Sequence, residues 1–110
     1  LLEFLFIEPQ AFGPAQAADL KVSVDDARRI IEASRAALLP LTSFEPRDVE
    51  GALHALPETT GASKKAAFMT VRVAITGRKA TPPLFECIAV LGKPRSLARL
   101  DRAIAALHHD

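Results

Sequence analysis

The stretch KKAAFMTVRVAITG, residues 64–77, decides the fold class of this chain of 110 residues. Its second half, Val71–Thr76, alternates and contains β-branched residues, which favours a strand. Apolar residues of the same stretch also recur with helical spacing, and Gly77 suits the position just after a helix. Because no second convincing strand is present, a lone strand would leave its backbone hydrogen bonds unmade. The sequence therefore predicts a helix over Lys64–Thr76 and an all-α fold of five or six short helices.

The chain before this stretch contains two clear helical patterns. Ser23 resembles the first residue of a capping box with Asp26, and the apolar face that follows runs to Pro40, which ends the helix. A second helix is predicted from Pro46 to Pro57, followed by a polar loop over residues 58–63. The segment 9–18 is predicted to be a connector, and Leu1–Ile7 the end of a helix.

Two more helices are predicted after Gly77. Thr81 is expected to cap the first, with Pro82 at its first helical position and Gly92 at its end. Pro94 begins the last helix. We expect its buried face to consist of Leu97, Leu100, Ile104 and Leu107, and a separate basic stripe of Arg95, Arg99 and Arg102.

Charge is distributed unevenly along the chain, although the net charge is only +1. Residues 1–60 contain 10 acidic and 5 basic side chains, a net of −5, whereas residues 61–110 contain 9 basic and 3 acidic side chains, a net of +6. A basic half is typical of proteins that contact a phosphate backbone, although Lys and Arg also solvate ordinary helical surfaces.

The sequence offers little for catalysis or metal binding. Cys87 is the only cysteine, which excludes an intrachain disulfide and suits a reducing cytoplasm. With His54, His108 and His109 it gives no metal-ligand spacing, and the two terminal histidines are expected in a solvated tail. Cys87 itself is expected to be a packed small hydrophobic residue. No glycine-rich phosphate loop is present.

Three blocks in order carry a family resemblance: Val71–Arg78, Pro82–Glu86 and Leu91–Lys93. Their order and spacing resemble the C-terminal segment of bacterial glutamyl-tRNA synthetases, which typically has "LRVALTG", "PGLFE" and "LLGKER" before a last helix. A weaker similarity extends upstream to Phe4–Phe6 and covers most of the chain. The chain begins with Leu1, and Met69 is its only methionine, so we expect it to be part of a longer protein.

The resemblance implies a multihelical anticodon-binding domain of the class I aminoacyl-tRNA synthetase type. Residues 1–43 would be the end of a first helical subdomain with its connector, and residues 44–110 the terminal subdomain. The parent would be a cytoplasmic, monomeric glutamate–tRNA ligase that uses ATP and a magnesium ion in a catalytic domain. The ATP-binding motifs of that domain are absent here, so no catalysis and no cofactor are expected of these residues. The implied partner is tRNA for glutamate, with tRNA for glutamine as an open alternative, and neither DNA nor a membrane.

Anticodon reading is expected between Arg72 and Phe85. Sequence-specific RNA recognition targets unstacked bases, and Arg72 is a lone charge among apolar neighbours whose head group needs an exposed edge or a partner. The resemblance implies a role for four residues. In the family, the residues that correspond to Arg72, Thr81, Pro82 and Leu84 lie at the second and third anticodon bases. Pro83 stands where the family often has glycine, which removes an N–H donor.

Alternatives stay open for these residues. Arg72 could instead form a structural salt bridge with Glu86, and Leu84 could lie wholly in the core. We expect Phe85 to be a core residue and not a stacking platform. The candidates for phosphate contacts, which would add affinity without reading sequence, are Lys64, Lys65, Arg78, Lys79, Lys93, Arg95, Arg99 and Arg102. Two other classes of function remain: a helix-turn-helix DNA-binding module formed by the last two helices, and a protein-interaction domain with an exposed apolar patch on the basic half.

Overall fold

The computed structural model describes residues 2–108, which form helices and no strand. The all-α prediction is therefore confirmed over this range. A 3-10 helix, Glu3–Phe6, precedes seven α-helices in the described part of the chain. They are α1 (Pro14–Asp19), α2 (Val24–Leu38), α3 (Pro46–Leu53), α4 (Leu56–Thr60), α5 (Lys64–Thr76), α6 (Leu84–Leu91) and α7 (Lys93–Leu107). The predicted tail at His109 lies outside the described residues.

Helix α5 settles the ambiguity between helix and strand. The Ser63 hydroxyl accepts a hydrogen bond from the Ala66 N–H at 3.0 Å and caps its first turn. Gly77 ends it in the left-handed region, with φ of 76°, and its N–H donates to the Val73 carbonyl at 2.8 Å. The last two turns are buried on several sides, over residues 73–76 as well as Thr70 and Val71. An all-round buried helix needs consecutive apolar residues, which is why the stretch resembles a strand.

Helix α2 lies at the centre of the fold and packs against α7, α5, α4, α3 and α1. Ser23 caps it by accepting from the Asp26 N–H at 3.0 Å, as predicted. Its buried residues are Ala27, Ile30, Ile31, Ser34 and Leu38. One cluster of buried side chains extends from Leu5 to Leu107, so both sides of the expected boundary at residues 43 and 44 share a core. That boundary stays a prediction.

Three local predictions were wrong, and proline explains two of them. The expected connector contains α1, which has Pro14 in its first turn. Pro57 does not end a helix but lies in the first turn of α4, where its missing N–H costs no hydrogen bond, so residues 58–60 of the predicted loop are helical. Finally, α6 begins at Leu84 with Pro83 at its N-cap, so Thr81 and Pro82 precede the helix instead of starting it.

Two glycines with the same backbone conformation give a matched test of the packing around α5. Gly61 and Gly77 both end helices, with φ of 75° and 76°. A Cβ atom on Gly77 would lie 2.7 Å from the Pro9 Cβ atom, whereas one on Gly61 would meet nothing within 4 Å. We expect Gly61→Ala to lower the free energy of unfolding by about 1 kcal/mol, the cost of a left-handed alanine. Gly77→Ala should cost about 1–3 kcal/mol more, because it overpacks the contact with Pro9.

Urea unfolding of both variants measures this difference. Equal decreases in the free energy of unfolding would show that the segment around Pro9 moves away from the new Cβ atom without loss of stability.

Candidate nucleic-acid interface

Arg72 is half-buried on α5 and contacts the loop that precedes α6. Its Nε–H donates to the Thr81 hydroxyl oxygen at 3.0 Å, and that hydroxyl donates to the Pro82 carbonyl at 2.7 Å. No ion pair of the described residues joins Arg72 to Glu86, so the salt-bridge alternative is wrong. The Nε bond leaves both terminal amino groups of Arg72 without a hydrogen-bond partner among residues 2–108.

The Arg72 side chain lines a groove with a volume of about 580 Å³. One wall is the face of α5 that carries Lys64, Phe68 and Arg72, spaced four residues apart. The opposite wall comes from α3 and α4, and the start of α6 closes one end. Besides the three side chains of α5, the lining residues are Glu50, His54, Pro57, Glu58, Pro83, Leu84 and Phe85. We call this cavity the Arg72 groove.

Two aromatic rings contribute apolar surface to the Arg72 groove. Phe68 and Phe85 meet edge to face, with ring centroids 5.9 Å apart and an interplanar angle of 89°. Both are half-buried and pack against the hydrophobic core, so the expectation of Phe85 as a core residue is compatible with a ring edge that faces the groove. Phe68 was missed by sequence reasoning, although its spacing from Lys64 and Arg72 marks one helical face.

Leu84 and the two prolines contribute differently. The Leu84 side chain is only 5% exposed, so it belongs mainly to the core, as the alternative interpretation proposed. Pro82 and Pro83 are exposed at the start of α6. The structure therefore brings Arg72, Thr81 and Pro82 together at the surface and leaves little of the Leu84 side chain for a ligand.

The eight phosphate-contact candidates fall into distinct groups. Lys64 and Lys65 are exposed, and neither forms an ion pair within the described residues. Arg78 and Arg95 lie over aromatic rings, with the guanidinium carbon of Arg78 4.1 Å from the centroid of Phe4. The others are engaged: Lys79 pairs with Asp19 at 2.7 Å, Arg102 with Glu8 at 2.6 Å, and Lys93 Nζ donates to the Leu41 carbonyl at 2.7 Å.

Arg99 contradicts the prediction of an exposed basic stripe on α7. It is 5% exposed, and its terminal amino groups donate to the carbonyls of Ile75, at 2.7 Å, and Leu5. Burial lowers the pKa of Arg99 from its ordinary value, and Glu8, 3.7 Å away from Nε, opposes that shift. Arg99 is a structural residue because its position on α7 faces the core and not solvent.

The buried role of Arg99 is tested against Arg95, an exposed arginine one turn away. Arg99→Ala leaves two buried carbonyls without partners, so we expect it to lower the free energy of unfolding by about 2–5 kcal/mol. Arg95→Ala should change it by no more than about 0.5 kcal/mol. Chemical denaturation of the two variants gives both values. If both variants lowered the free energy of unfolding by a similar small amount, Arg99 would not have the buried structural role described above.

Cys87 and the histidines have no catalytic arrangement around them. Cys87 is fully buried, its thiol donates to the Pro82 carbonyl at 3.5 Å, and burial raises the pKa of that thiol. Among residues 2–108, no group of three or more His, Cys, Asp and Glu side chains is placed to bind a metal ion. The expected absence of metals and cofactors stays a prediction.

Comparison with known proteins identifies the family. The family model described as "Anticodon binding domain" matches residues 1–104. The chain belongs to this anticodon-binding domain family.

Individual relatives agree with this assignment. The chain is 43% identical over 106 residues to the glutamate–tRNA ligase of Acidothermus cellulolyticus, 41% identical over 110 residues to that of Kineococcus radiotolerans, and 39% identical over 105 residues to that of a Nocardioides species. These matches cover 96%, 97% and 94% of this chain but 21% of each relative. The chain thus spans about a fifth of the length of the ligases that it matches. None of the helices described in residues 2–108 is long and apolar enough to cross a membrane.

Proposed function

We propose that the Arg72 groove binds unstacked anticodon bases of a tRNA. The observation that carries this proposal is that Arg72, whose Nε–H is held by the Thr81 hydroxyl, lines a groove of about 580 Å³ together with Phe68 and with Pro83, Leu84 and Phe85 from the start of α6. Family membership supports an anticodon as the ligand.

The chemistry of the groove favours a base over a phosphate. The free amino groups of Arg72 are donors for base oxygen and nitrogen atoms, and the hydrogen bond to Thr81 restricts the arginine before RNA arrives. Phe68 and Phe85 offer apolar surface to a base face. Glu50 and Glu58 on the opposite wall repel a phosphate, but their carboxylates accept hydrogen bonds from the exocyclic amino group of a base.

Phosphates of the same RNA are assigned to the lysines at the start of α5. Lys64 lines the Arg72 groove and Lys65 follows it, and both are exposed. A backbone that enters the groove from this side would place its phosphates near these two ammonium groups, with the bases directed inward. Such contacts add affinity and register.

The parent protein that we infer is an ATP-dependent glutamate–tRNA ligase, as the names of the relatives suggest. ATP and a magnesium ion would act in its catalytic domain, and the present residues would select and position the tRNA. We further propose a cytoplasmic monomer specific for glutamate tRNA, with glutamine tRNA as the alternative substrate.

The structure favours neither of the other two classes. Helix α7 packs along α2 and buries Arg99, so it does not offer a free recognition helix for the DNA major groove. A protein-interaction surface on the basic half would need a large apolar patch. Over residues 61–108, Val90, 46% exposed, is the one large exposed hydrophobic residue.

Substitution of Arg72 tests the reading of bases. We expect Arg72→Ala to lower the affinity of the chain for an anticodon stem-loop of glutamate tRNA about tenfold to a hundredfold, because it removes a charged contact to a base. The affinity for a stem-loop with altered second and third anticodon bases should fall much less. Fluorescence anisotropy with labelled RNA measures both affinities.

Arg47→Ala, which removes an exposed arginine outside the groove, is the matched control for charge. Thermal melts of Arg72→Ala report whether removal of the bond to Thr81 unfolds the chain. Equal weakening for the two RNAs, together with a strongly lowered melting temperature, would make Arg72 a structural residue.

The lysine pair is tested through salt. Lys64→Ala with Lys65→Ala should weaken binding to all stem-loops alike and reduce the slope of log affinity against log salt by about 0.7 for each phosphate that the protein no longer neutralises. Lys79→Ala should change the slope less, because Asp19 already pairs with this lysine at 2.7 Å. If Lys79→Ala reduced the slope more than the double lysine variant, the phosphate contact would belong to Lys79 and not to Lys64 and Lys65.

A further inference from the structure

We infer that a second cavity binds one further unstacked base of the same RNA loop, stacked on the arginine–aromatic pair of Arg78 and Phe4. This inference rests on the proposed function of the Arg72 groove. The cavity has a volume of about 260 Å³ and lies beside the C-terminal end of α5, with Phe4, Ile7, Gln10, Gln16, Gly77 and Arg78 among its lining residues. Pockets for drug-sized ligands measure about 300–1,000 Å³, so this one suits a ligand of a single ring system, such as a base. We call it the Phe4 pocket.

Arg78 provides the stacking surface. Its guanidinium carbon lies over the Phe4 ring, 4.1 Å from the ring centroid, within the range of a cation–π contact. Arg78 is exposed, and its side chain forms no hydrogen bond or ion pair within residues 2–108. Guanidinium planes and aromatic rings are the surfaces on which RNA-binding proteins stack unpaired bases.

The main chain of Arg78 is fixed before any ligand arrives. Gly77 turns the chain in the left-handed region, directly after α5. The Thr76 hydroxyl then accepts from the Arg78 N–H at 3.1 Å and lies 3.2 Å from the Arg78 carbonyl oxygen. A side chain on an ordered main chain loses less entropy on binding.

Two glutamines supply the groups that read a base edge. Gln16 accepts from the Gly13 N–H at 2.8 Å through its side-chain oxygen, which leaves its amide NH₂ group as a donor. Gln10 is exposed at the same pocket and has both a donor and an acceptor. The lining includes one cation, Arg78, and no carboxylate, so its charge complements RNA.

The two cavities lie on adjacent sides of one helix end. Thr76 lines the Phe4 pocket and follows Arg72 by four residues, which corresponds to about 6 Å along the axis and about 40° around it. The Thr76 hydroxyl also donates to the Arg72 carbonyl at 2.6 Å. The inference therefore requires two bases of one RNA loop to bind on adjacent sides of α5.

The surface beyond the pocket has the same character. Arg95 lies over the ring of Phe6, 5.1 Å from its centroid, and Phe6 is 49% exposed. Among the phosphate-contact candidates outside α5, Arg78 and Arg95 are thus the two whose side chains bind no carboxylate or carbonyl within residues 2–108. Each lies over an aromatic ring. This alternation of cations and rings is typical of single-strand RNA surfaces.

The experiment couples pocket variants to missing bases. Stem-loops of the glutamate anticodon arm are made with an abasic nucleotide at each loop position in turn, and their affinities for the unmodified chain, Arg78→Ala and Arg78→Lys are measured. One abasic position should weaken binding to the unmodified chain about tenfold but should hardly matter to Arg78→Ala, because the stacking partner is already gone. Arg78→Lys should behave like Arg78→Ala, since lysine keeps the charge without the planar group.

Phe4→Leu keeps an apolar side chain under Arg78 and should show the same coupled position, with a smaller decrease in affinity. Arg47→Ala again controls for charge. Full rescue by Arg78→Lys, or equal weakening of every abasic RNA by Arg78→Ala, would make Arg78 a phosphate contact and overturn the inference.

Failure of this inference and failure of the proposed function give different results. If Arg72→Ala couples to its own loop position and Arg78→Ala couples to none, the Arg72 groove stands and the Phe4 pocket does not bind a base. If the unmodified chain binds no stem-loop, both proposals are wrong.

Discussion

The guanidinium of Arg99 connects the three segments on which the rest of the structure depends. From α7 it donates to the Ile75 carbonyl in the last turn of α5 and to the Leu5 carbonyl in the 3-10 helix. Carbonyls at the end of a helix have no partner within that helix, and here water cannot reach them. A single buried cation satisfies both carbonyls and fixes where α5 ends relative to the N-terminal segment. Its burial is costly unless each donor is paired, so this junction tolerates little rearrangement.

Both cavities are built on this junction. The C-terminal half of α5 carries Arg72 toward the Arg72 groove, and the turn after it places Arg78 beside the Phe4 pocket. Gly77 permits the turn, and because it lacks a side chain, Pro9 of the N-terminal segment can pack closely against the end of the helix. Arg72 therefore lies on a helix, and Arg78 lies in the hydrogen-bonded turn that directly follows it. A rigid element is expected to present donors to a base in a fixed geometry, with little entropy lost on binding.

The charge asymmetry of the sequence is partly cancelled by folding. Acidic residues of the first half pair with basic residues of the second half, as in Asp19 with Lys79 and Glu8 with Arg102. Exposed pairs of this kind contribute little to stability. Their consequence here is to remove cations from the set available to a phosphate backbone, so that Lys64, Lys65, Arg78 and Arg95 remain. Recognition in this domain is then a property of a few positions and not of an overall positive field.

The sequence by itself determined the helical class, the start of α2, both ends of α5, the end of α6, and the family. Caps such as Ser23 and Gly77 act through neighbours within a few residues, so they are visible without the fold. The burial of Arg99 could not be predicted from the sequence. Arg95 and Arg99 are four residues apart and lie on nearly the same side of α7, and only the positions of the neighbouring helices decide that Arg99 is the buried one. Phe68 and the carboxylates opposite it became site residues only when α3 and α4 packed across from α5. Helical periodicity is a local property, whereas the boundary between core, groove and solvent is set by contacts between segments far apart in the chain.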